Sequence, residues 1–338
     1  MLILGIETSC DETAAALLSN DNKILSSIVF SQDKIHAPYG GIVPEVAARK
    51  HLEIIIPTIR EALQRASLNL NKIDIIAVTN GPGLITSLMI GVDTAKTLAF
   101  VLKKPLVAIN HLEAHIYANF INGQFQARFP LICLIVSGGH TELVLMTAHG
   151  KFKTIGSTRD DAAGEAFDKV AKLLAIGYPG GPIISKLADL GNSKAYSFPR
   201  PMIKEKNFDF SFAGLKTDVL RLVRKKRGRF SDQELKNICA SFQAAVVDVL
   251  IEKTLQAVKK YNVKTCLLAG GVAANKLLRR KLGKRLSQEL PAVTYHLPLL
   301  KYCTDNAAMV AQAAYFHVLK KDFTPWQKIK VDPGLKLD

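Results

Sequence analysis

One order of predicted elements occurs twice along this chain, and that repetition limits the available folds more than any other feature. In each half, alternating and continuous apolar runs predict a meander of three short strands. A helix, a strand, a helix, a strand and a last helix follow in both halves. The first meander is predicted within residues 2–31 and the second within 131–157. Such tandem units predict two α/β domains with a cleft between them.

The same pattern places the boundary between the halves and one long insertion. The first domain is predicted to cover residues 1–124 and the second residues 125–338. A segment at about 159–230, rich in glycine, proline and basic residues, separates the second meander from the next helix. The repeat is one of element order only, because no residue-level similarity between the halves is visible. Clefts between such domains commonly bind nucleotides.

Positive charge is in excess and unevenly spread. The chain has 45 Lys and Arg residues against 29 Asp and Glu residues, a formal net charge of +16. Residues 201–300 alone hold 20 basic and 8 acidic side chains. Charge kept only for solubility would be expected to scatter, whereas a binding face concentrates it. We therefore expect an anionic partner: a nucleic acid, a phosphorylated metabolite or an anionic membrane surface.

Cysteine usage and the first residues favour a cytoplasmic protein. The five cysteines are odd in number and far apart, with no Cys-x-x-Cys pair. This argues against a disulfide framework and against a zinc knuckle. The first residues lack the basic segment of a signal peptide. No apolar run approaches the roughly 20 residues that a bilayer requires, so we expect no membrane anchor.

The sharpest local motif is a histidine pair with helical spacing. His111 and His115 lie four residues apart on one face of a predicted helix, where they can share one metal ion. The acid of this motif, Glu113, stands one position later than in the zinc protease motif His-Glu-x-x-His. Asp305, at the start of the corresponding helix in the second half, supplies a third ligand. Two imidazoles and one carboxylate suit zinc or iron with open coordination positions. The alternative interpretation is that these are two surface histidines that bind no metal.

Polar and glycine-rich turns follow several predicted strands. In the turn at 136–141, paired glycines free backbone amides to form an anion nest. The turn that holds Asp11 and Glu12 occupies the equivalent place in the first half. Asn275 opens a helix after a Gly-Gly turn, and Asp168 precedes a Pro-Gly-Gly-Pro turn in the insertion. Each turn taken alone is also explained by turn chemistry or packing, but two phosphate-sized turns at matching positions favour a binding function.

Two basic stretches account for most of the positive charge between residues 201 and 300. One covers the end of a predicted helix and the loop after it, and the other lies on the helix that begins near residue 273. Both can follow a phosphate backbone, although a solvated face is the usual reason for such a run. Neither is interleaved with aromatic residues, so no base-stacking platform is expected. The candidate contacts are Arg224, Lys225, Arg227, Arg279, Arg280 and Lys284.

Together these motifs resemble the tRNA threonylcarbamoyladenosine transferase family, TsaD, long called the O-sialoglycoprotein endopeptidase or Gcp family. The resemblance extends over about residues 2–332. The matching segments are GIETSCDETAAA (5–16), NGPGLITSLMIG (80–91), NHLEAHIYA (110–118), VSGGHTELV (136–144), GEAFDKVAKLL (164–174), YPGGP (178–182), FSFAGLKT (210–217), LAGGVAANKLLR (268–279) and CTDNAAMVA (303–311). The implied fold is that of the actin-like, sugar kinase and Hsp70 ATPase (ASKHA) superfamily. It has two tandem RNase H-like domains, a cleft between them and a helical insertion in the second.

The resemblance implies transfer of a threonylcarbamoyl group from threonylcarbamoyl-AMP to N6 of adenosine 37, in tRNAs that read ANN codons. His111, His115 and Asp305 would bind one metal ion, Fe(2+) or Zn(2+), that positions the donor. Asp11 or Glu12, on the facing turn, would accept the proton of the attacking amine. The basic residues named above would contact the tRNA. The residues that would bind the donor are Ile135, Val136, Ser137, Gly138, Gly139, His140, Asp168, Gly181 and Asn275.

Companion proteins are implied as well: a shortened ASKHA homologue (TsaB-like), a P-loop ATPase (TsaE-like) and a threonylcarbamoyl-AMP synthase, with Mg-ATP used by the complex. With tRNA as the partner, a membrane is no longer expected. Similar sequences often have an acid where Ser185 stands here, so a ribose contact at that position is not carried over. Two other classes of function stay open. One is a metallopeptidase, suggested by the histidine pair and the old family name; the other is a small-molecule kinase or ATP-binding regulator of the same fold.

Overall fold

Two five-stranded mixed sheets form the framework of the computed structural model, which describes residues 1–123 and 125–338. The strand order is β3-β2-β1-β4-β5 in the first sheet and β8-β7-β6-β9-β10 in the second. In both, the first strand is antiparallel to the second and parallel to the fourth. The predicted repeat of element order is therefore confirmed. The strands are β1 (Leu2–Glu7), β2 (Glu12–Ser19), β3 (Ile24–Ser31), β4 (Ile75–Gly81), β5 (Leu106–Asn110), β6 (Leu131–Val136), β7 (Thr141–Ala148), β8 (Lys151–Ser157), β9 (Thr265–Ala269) and β10 (Thr294–His296).

In the part of the chain that the structure describes, ten α-helices accompany the sheets, and their boundaries follow local capping chemistry. Helix α8 begins with a capping box, in which the Ser231 side chain accepts from the Glu234 amide and Glu234 accepts from the Ser231 amide. Helix α2 begins at Pro44, a residue suited to the first helical turn. The helices are α1 (Asp33–His36), α2 (Pro44–Arg65), α3 (Ile85–Leu102), α4 (His111–Tyr117), α5 (Ala163–Leu173), α6 (Gly180–Ala188), α7 (Ala213–Lys225), α8 (Asp232–Lys260), α9 (Lys276–Glu289) and α10 (Ala307–Leu319).

The central strands of each sheet are buried on both faces, and their successive side chains enter two different cores. In β6, Ile132 and Leu134 point into the core beneath α8, whereas Leu131 and Cys133 point into the core between the two sheets. Successive side chains of a strand point to opposite faces, so both sets must be apolar. This explains why the central strands read as continuous apolar runs rather than as alternating ones.

Two helices lie between the sheets, and each packs across the boundary between the halves. Helix α10 comes from the second half but packs against β1 of the first, and α4 from the first half contacts β6 and β9 of the second. Gly5 in β1 permits this contact, because a Cβ there would lie 2.5 Å from the Ala307 carbonyl oxygen. The division into domains 1–124 and 125–338 stays a prediction. Because α4 and α10 each pack against the sheet of the other half, they join the two predicted domains.

The insertion at 159–230 contains three helices, as the resemblance implied. Helices α5, α6 and α7 bury their apolar faces in the same core as α8. Lys253 of α8 is fully buried, and its ammonium group donates to the backbone carbonyls of Glu205 and Asn207 at 3.0 and 2.7 Å. These charge-assisted bonds replace the water that a buried ammonium group loses and hold the loop before α7 in place.

Residues 320–338, called the tail here, run back over both halves. Thr324 forms an antiparallel bridge with Leu106 at the edge of the first sheet. Further along, the carbonyl of Lys336 accepts from the Asn110 side chain at 3.0 Å. The carboxylate of Asp338 then accepts from the amide and the hydroxyl of Thr154 in β8. The tail thus connects the two sheets on the side of the molecule where α4 begins.

Element boundaries differ from the sequence prediction mainly at strand-to-helix turns. The helix predicted to begin near residue 273 begins at Lys276, after a short 3-10 turn at Gly271–Ala274. The predicted helix that carries His111 and His115 ends at Tyr117 and is followed by 3-10 turns. One helix, α3, is long and apolar enough to cross a membrane by length and composition alone, a test that core helices also pass. It packs against β4 and α2 in this fold.

Candidate active site

Helix α4 begins directly after β5 and presents both histidines of the motif. The Asn110 side chain caps it by accepting from the amides of Leu112 and Glu113, at 2.8 and 3.3 Å. This cap fixes the first turn, so His111 and His115 lie one above the other. Their ring centroids are 4.6 Å apart and their planes are nearly perpendicular. The helix therefore aims two imidazoles at one point.

Asp305, in the loop before α10, completes a group of three predicted ligands. Its Oδ1 lies 3.5 Å from Nε2 of His111 and 3.1 Å from Nε2 of His115. One ligand atom from each of the three residues lies within 4.8 Å of the others. Among the described residues, Nδ1 of His115 is buried without a partner, and Nε2 makes no well-directed hydrogen bond although it faces Asp305 at 3.1 Å. A buried imidazole without hydrogen bonds is unfavourable, and a metal ion at this point would supply a partner for Nε2.

Charge coupling in this group is strong. Burial alone would lower the pKa of His111, but the carboxylates of Asp305 and Glu7 raise it to about 9. Burial would raise the pKa of Asp305, but His111 and His115 lower it to about 2. His140 lies nearby, and its burial together with the two histidines lowers its pKa to about 4. A metal ion would therefore have to displace a proton from His111, whereas His140 is neutral at physiological pH.

Glu7, at the end of β1, is a site residue that sequence reasoning missed. Its carboxylate is fully buried and accepts from the Ser9 amide and the Thr79 hydroxyl, both at 2.6 Å. It also lies 3.3 Å from Nδ1 of His111, and the Ser9 hydroxyl lies 3.1 Å from the same atom. A carboxylate behind a ligating histidine fixes its tautomer and orientation. The sequence feature that could have identified Glu7 is its position as the one charged residue at the end of an otherwise apolar strand.

The two carboxyl groups predicted to accept a proton lie on the facing turn. Asp11 is buried, and burial followed by the nearby charge of Asp305 raises its pKa. The pKa of Glu12 is raised well above its usual value, first by burial and then by Asp305 and Asp11. A carboxylate whose pKa is raised toward neutrality is a better proton acceptor than an ordinary one. The geometry is therefore compatible with the predicted role, which stays a prediction.

A cavity of about 540 Å³ lies between the halves and is lined by four of the nine predicted donor-binding residues. Glu12 reaches it from the first half, and Gly138, Asp168, Gly181 and Asn275 reach it from the second. A Cβ added at Gly138 or Gly181 would meet no atom within 4 Å, so both glycines face open space. This is the room that a phosphate or carbonyl group needs to approach the backbone closely.

The turn at 136–141 is closed by bonds between its own ends. The Ser137 amide donates to the His140 carbonyl at 2.8 Å, and the His140 amide donates to the Ser137 hydroxyl at 3.1 Å. Gly139 faces open space, as Gly138 does. The side chains of Ile135 and Val136 are fully buried in the cores, so only their main chain is available to a ligand. The predicted contact of these two residues with the substrate therefore stays a prediction, and it concerns their main-chain atoms alone.

Asp168 and Asn275 are both held by neighbouring groups. Asp168 Oδ1 accepts from the Gly180 amide at 2.7 Å. Asn275 caps α9 by accepting from the Leu278 amide at 3.0 Å. The Asn275 amide group donates to Gln243 at 2.7 Å and to Ser185 at 3.1 Å, and the Ser185 hydroxyl donates to Gln243. At Ser185 this wall of the cleft is therefore uncharged. Sequence reasoning missed Gln243 because it lies within the long buried helix α8.

The candidate basic contacts differ in their surroundings. Arg224, Lys225 and Arg227 are exposed at the end of α7 and after it. On α9, Arg280 and Lys284 are exposed as well. Arg279, by contrast, donates to the carbonyl oxygens of Ala273 and Pro298 at 3.1 and 2.9 Å. These bonds hold the turn before α9 and the loop after β10, so Arg279 is poorly placed for the predicted contact with a nucleic acid.

Comparison with known proteins gives one consistent family. The model of a family described as TsaD, tRNA N6-adenosine threonylcarbamoyltransferase, matches residues 23–312. A protein of that name from Desulfitobacterium hafniense is 50% identical over 335 residues, covering 99% of this chain and 97% of its own length. One from Listeria welshimeri is 50% identical over 337 residues, and one from Syntrophomonas wolfei is 51% identical over 324 residues. The match with the Listeria protein covers 100% of this chain and 97% of the relative, and the match with the Syntrophomonas protein covers 96% and 94%.

Solved structures extend the likeness to the fold. Component A of (R)-2-hydroxyglutaryl-CoA dehydratase from Acidaminococcus fermentans has a TM-score of 0.55 and 18% identity, covering 95% of this chain and 98% of its own. Full-length HypF in a phosphate- and nucleotide-bound form has a TM-score of 0.60 and 15% identity, covering 94% and 46%. At such identities the likeness concerns the fold alone. It agrees with the ASKHA-type α/β architecture expected from the sequence.

Proposed function

The chain belongs to the tRNA N6-adenosine threonylcarbamoyltransferase family, and from that premise we propose which residues carry the reaction. The enzyme forms N6-threonylcarbamoyladenosine in tRNA. We infer that its donor is threonylcarbamoyl-AMP and its acceptor adenosine 37 in tRNAs that read ANN codons. The comparisons do not favour the metallopeptidase or the kinase. The observation that carries the residue assignment is the convergence of His111, His115 and Asp305 beside a cleft lined from both halves.

One metal ion, iron(II) or zinc, is proposed at these three residues. The donor set of two imidazole nitrogens and one carboxylate oxygen fits either ion, and Nε2 of His115, which makes no well-directed hydrogen bond to a described residue, supports the assignment. A metal bound there supplies Lewis-acid stabilisation for oxygen atoms of the threonylcarbamoyl group. Glu7 and the Ser9 hydroxyl hold the His111 ring from behind. The protein thereby fixes the geometry of the site before the donor binds.

The remaining cleft residues are proposed to bind and orient the donor. The open backbone at Gly138 and Gly139 would receive the phosphate, as glycine-rich turns do. Asp168, Gly181 and Asn275 would hold the nucleoside on the opposite wall. An acyl-adenylate already carries a good leaving group, so positioning and charge stabilisation are the main demands on the protein. Asp11 or Glu12 would take the proton from N6 as the amine attacks.

Partner proteins and a cytoplasmic location are proposed as well. The partners are tRNA, a shortened homologue of this fold (TsaB-like), a P-loop ATPase (TsaE-like) that uses Mg-ATP, and the synthase that makes the donor. A surface that suits a protein partner lies on the neighbouring helices α2 and α3. Leu52 and Ile56 on α2, and Ile85 and Met89 on α3, expose between 46% and 67% of their surface. Exposed apolar side chains grouped on two helices that pack together are typical of interaction sites.

Reconstitution tests the proposed reaction. The chain is incubated with tRNA, threonine, bicarbonate, Mg-ATP, the synthase and the two companion proteins, and N6-threonylcarbamoyladenosine is measured in digested tRNA by mass spectrometry. We expect product only when the chain is present. The variant His111→Ala/His115→Ala should lose both the metal content of the purified protein and the product. Full activity of a metal-free, folded double variant would contradict the proposed metal site, and product formed without the chain would contradict the transferase role.

A further inference from the structure

The cleft continues into a groove along helix α9. A cavity of about 590 Å³ shares Gln243, Lys276 and Leu277 with the cleft. A second cavity, of about 740 Å³, shares Arg280 and Lys281 with the first. The two cavities together are called the α9 groove. Its near end is the wall of the cleft that holds Asn275, and its far end lies beside the C-terminal part of α9.

Three basic side chains form a row along this groove. Lys276, Arg280 and Lys284 are spaced four residues apart, so they lie on one face of α9 and span about 12 Å of its axis. All three are exposed, and none forms an ion pair with any residue that the structure describes. The row therefore presents three positive charges without ion pairs, against one nearby acid, Asp189.

The other basic side chains of the groove are already paired, whereas Asp189 is an exposed acid in the 590 Å³ cavity that pairs with no residue the structure describes. Arg200 on the opposite wall binds Asp248 at 2.9 Å, and Lys281 binds the same carboxylate at 3.3 Å. Arg285 binds Glu252 at 3.3 Å. These pairs fix the walls of the groove. They leave the row on α9 to interact with a ligand from solution.

We propose that the α9 groove binds the phosphate backbone of the substrate tRNA and leads the strand toward the cleft. The inference rests on the proposed function, because it takes tRNA as the acceptor. A regular row of unpaired cations in a long open groove matches a polyanion better than a compact anion, since each cation can neutralise a separate phosphate. The contact carries no sequence information, so it positions the tRNA and leaves base selection to the cleft.

The second basic stretch is less suited to this role. Arg224 and Lys225 end α7 and line none of the three cavities. Their neighbour Lys226 is paired with Glu234 at 2.7 Å. The two stretches have the same kinds of side chain and similar exposure. They therefore provide a matched pair of variants that differ only in their place relative to the cleft.

The test compares Arg280→Gln/Lys284→Gln with Arg224→Gln/Lys225→Gln, each removing one arginine and one lysine. Each phosphate contact contributes about 0.7–0.9 to the slope of log affinity against log salt. Losing two contacts should therefore weaken tRNA binding about 25- to 60-fold at 0.1 M salt and reduce the slope by about 1.4–1.8. The variant of α7 should change affinity less than about threefold. Both are measured by fluorescence anisotropy with labelled tRNA between 0.05 and 0.4 M salt.

Three further readouts separate the outcomes. Circular dichroism and thermal melting check folding, and calorimetric titration with AMP checks the cleft. Modification assays should show the α9 variant with a raised KM for tRNA and a nearly unchanged kcat. The groove assignment is overturned if the α9 variant keeps the affinity and salt slope of the wild type, or if the α7 variant loses as much. If the wild type itself forms no modified adenosine in the full reconstitution, the proposed function fails instead.

Discussion

Replacing Glu7 by glutamine tests whether the buried carboxylate behind His111 governs the metal site. The change keeps the shape of the side chain and one acceptor oxygen, which can still accept from the Ser9 amide, while the new NH2 group would donate to the Thr79 hydroxyl instead of accepting from it. It removes the negative charge that lies 3.3 Å from Nδ1 of His111. Loss of such a partner typically costs 10- to 100-fold in metal affinity. This corresponds to about 1.4–2.7 kcal/mol of binding free energy.

Zinc affinity is measured by competition with a chromophoric chelator, on protein stripped of metal. The titration is run at pH 9, because burial and the carboxylates of Asp305 and Glu7 together set the pKa of His111 at about 9, and its proton competes less there than at neutral pH. The matched control is Glu113→Gln. This second buried acid lies on α4 itself, but its carboxylate faces His317 at 3.1 Å. We expect the control to change stability while leaving zinc affinity within about threefold of the wild type.

Two results would refute this reasoning. One is a folded Glu7→Gln protein that binds zinc as tightly as the wild type. The other is an equal loss of affinity in Glu113→Gln, since that would trace the effect to a general loosening of α4. Thermal melting of the metal-free proteins distinguishes such loosening from a specific loss, because only loosening lowers both the melting temperature and the affinity.

Three more predictions concern the cleft and its surroundings. The Gly138→Val variant should fold normally, because a Cβ at this position meets no described atom within 4 Å, but it should bind AMP at least tenfold more weakly by calorimetry. The Gly164→Ala variant should instead have a lower melting temperature, because its Cβ would lie 2.5 Å from the Ser137 carbonyl oxygen. Asp11→Asn should slow transfer by about 10²- to 10⁴-fold in single-turnover assays with unchanged AMP affinity, and an unaltered rate would remove Asp11 from the reaction. Burial and then Asp338 raise the pKa of Glu142 to about 7, so its contribution to stability is fully present below pH 4.5 and is lost as the pH rises through 7. Glu142→Gln should therefore raise the free energy of unfolding by about 2 kcal/mol at pH 8.5 and leave it unchanged at pH 4, measured by urea denaturation.

The order of elements and the metal ligands could be predicted from the sequence because both depend on local periodicity. Strand and helix periods identify the repeated unit, and the four-residue spacing of His111 and His115 places both on one helical face. Asp305 followed from the repeat, since corresponding helices of two similar halves begin near the same cleft. The glycines of the cleft were found because open turns require them.

What the sequence could not reveal depends on contacts between distant segments. Glu7 is a site residue because β1 lies beside the start of α4, 104 positions away in sequence. Gln243 meets Asn275 only through the packing of α8 against α9. Arg279 stands next to Arg280 in sequence, yet its guanidinium group is bound by carbonyl oxygens of the adjoining turn and loop. Local pattern carries no information about such partners.

The exchange of α4 and α10 between the halves has a consequence for synthesis on the ribosome. The strands of the first sheet are complete at Asn110, but the helix that covers their inner face ends at Leu319. At about 5–20 residues per second, that face waits roughly 10–40 s for its cover. The early part of the nascent chain therefore emerges with α2 and α3 covering one face of its strands and with the apolar inner face still exposed, which favours aggregation unless chaperones protect that face. Asp305 emerges at the same late stage, so the metal site forms only when the chain is nearly finished.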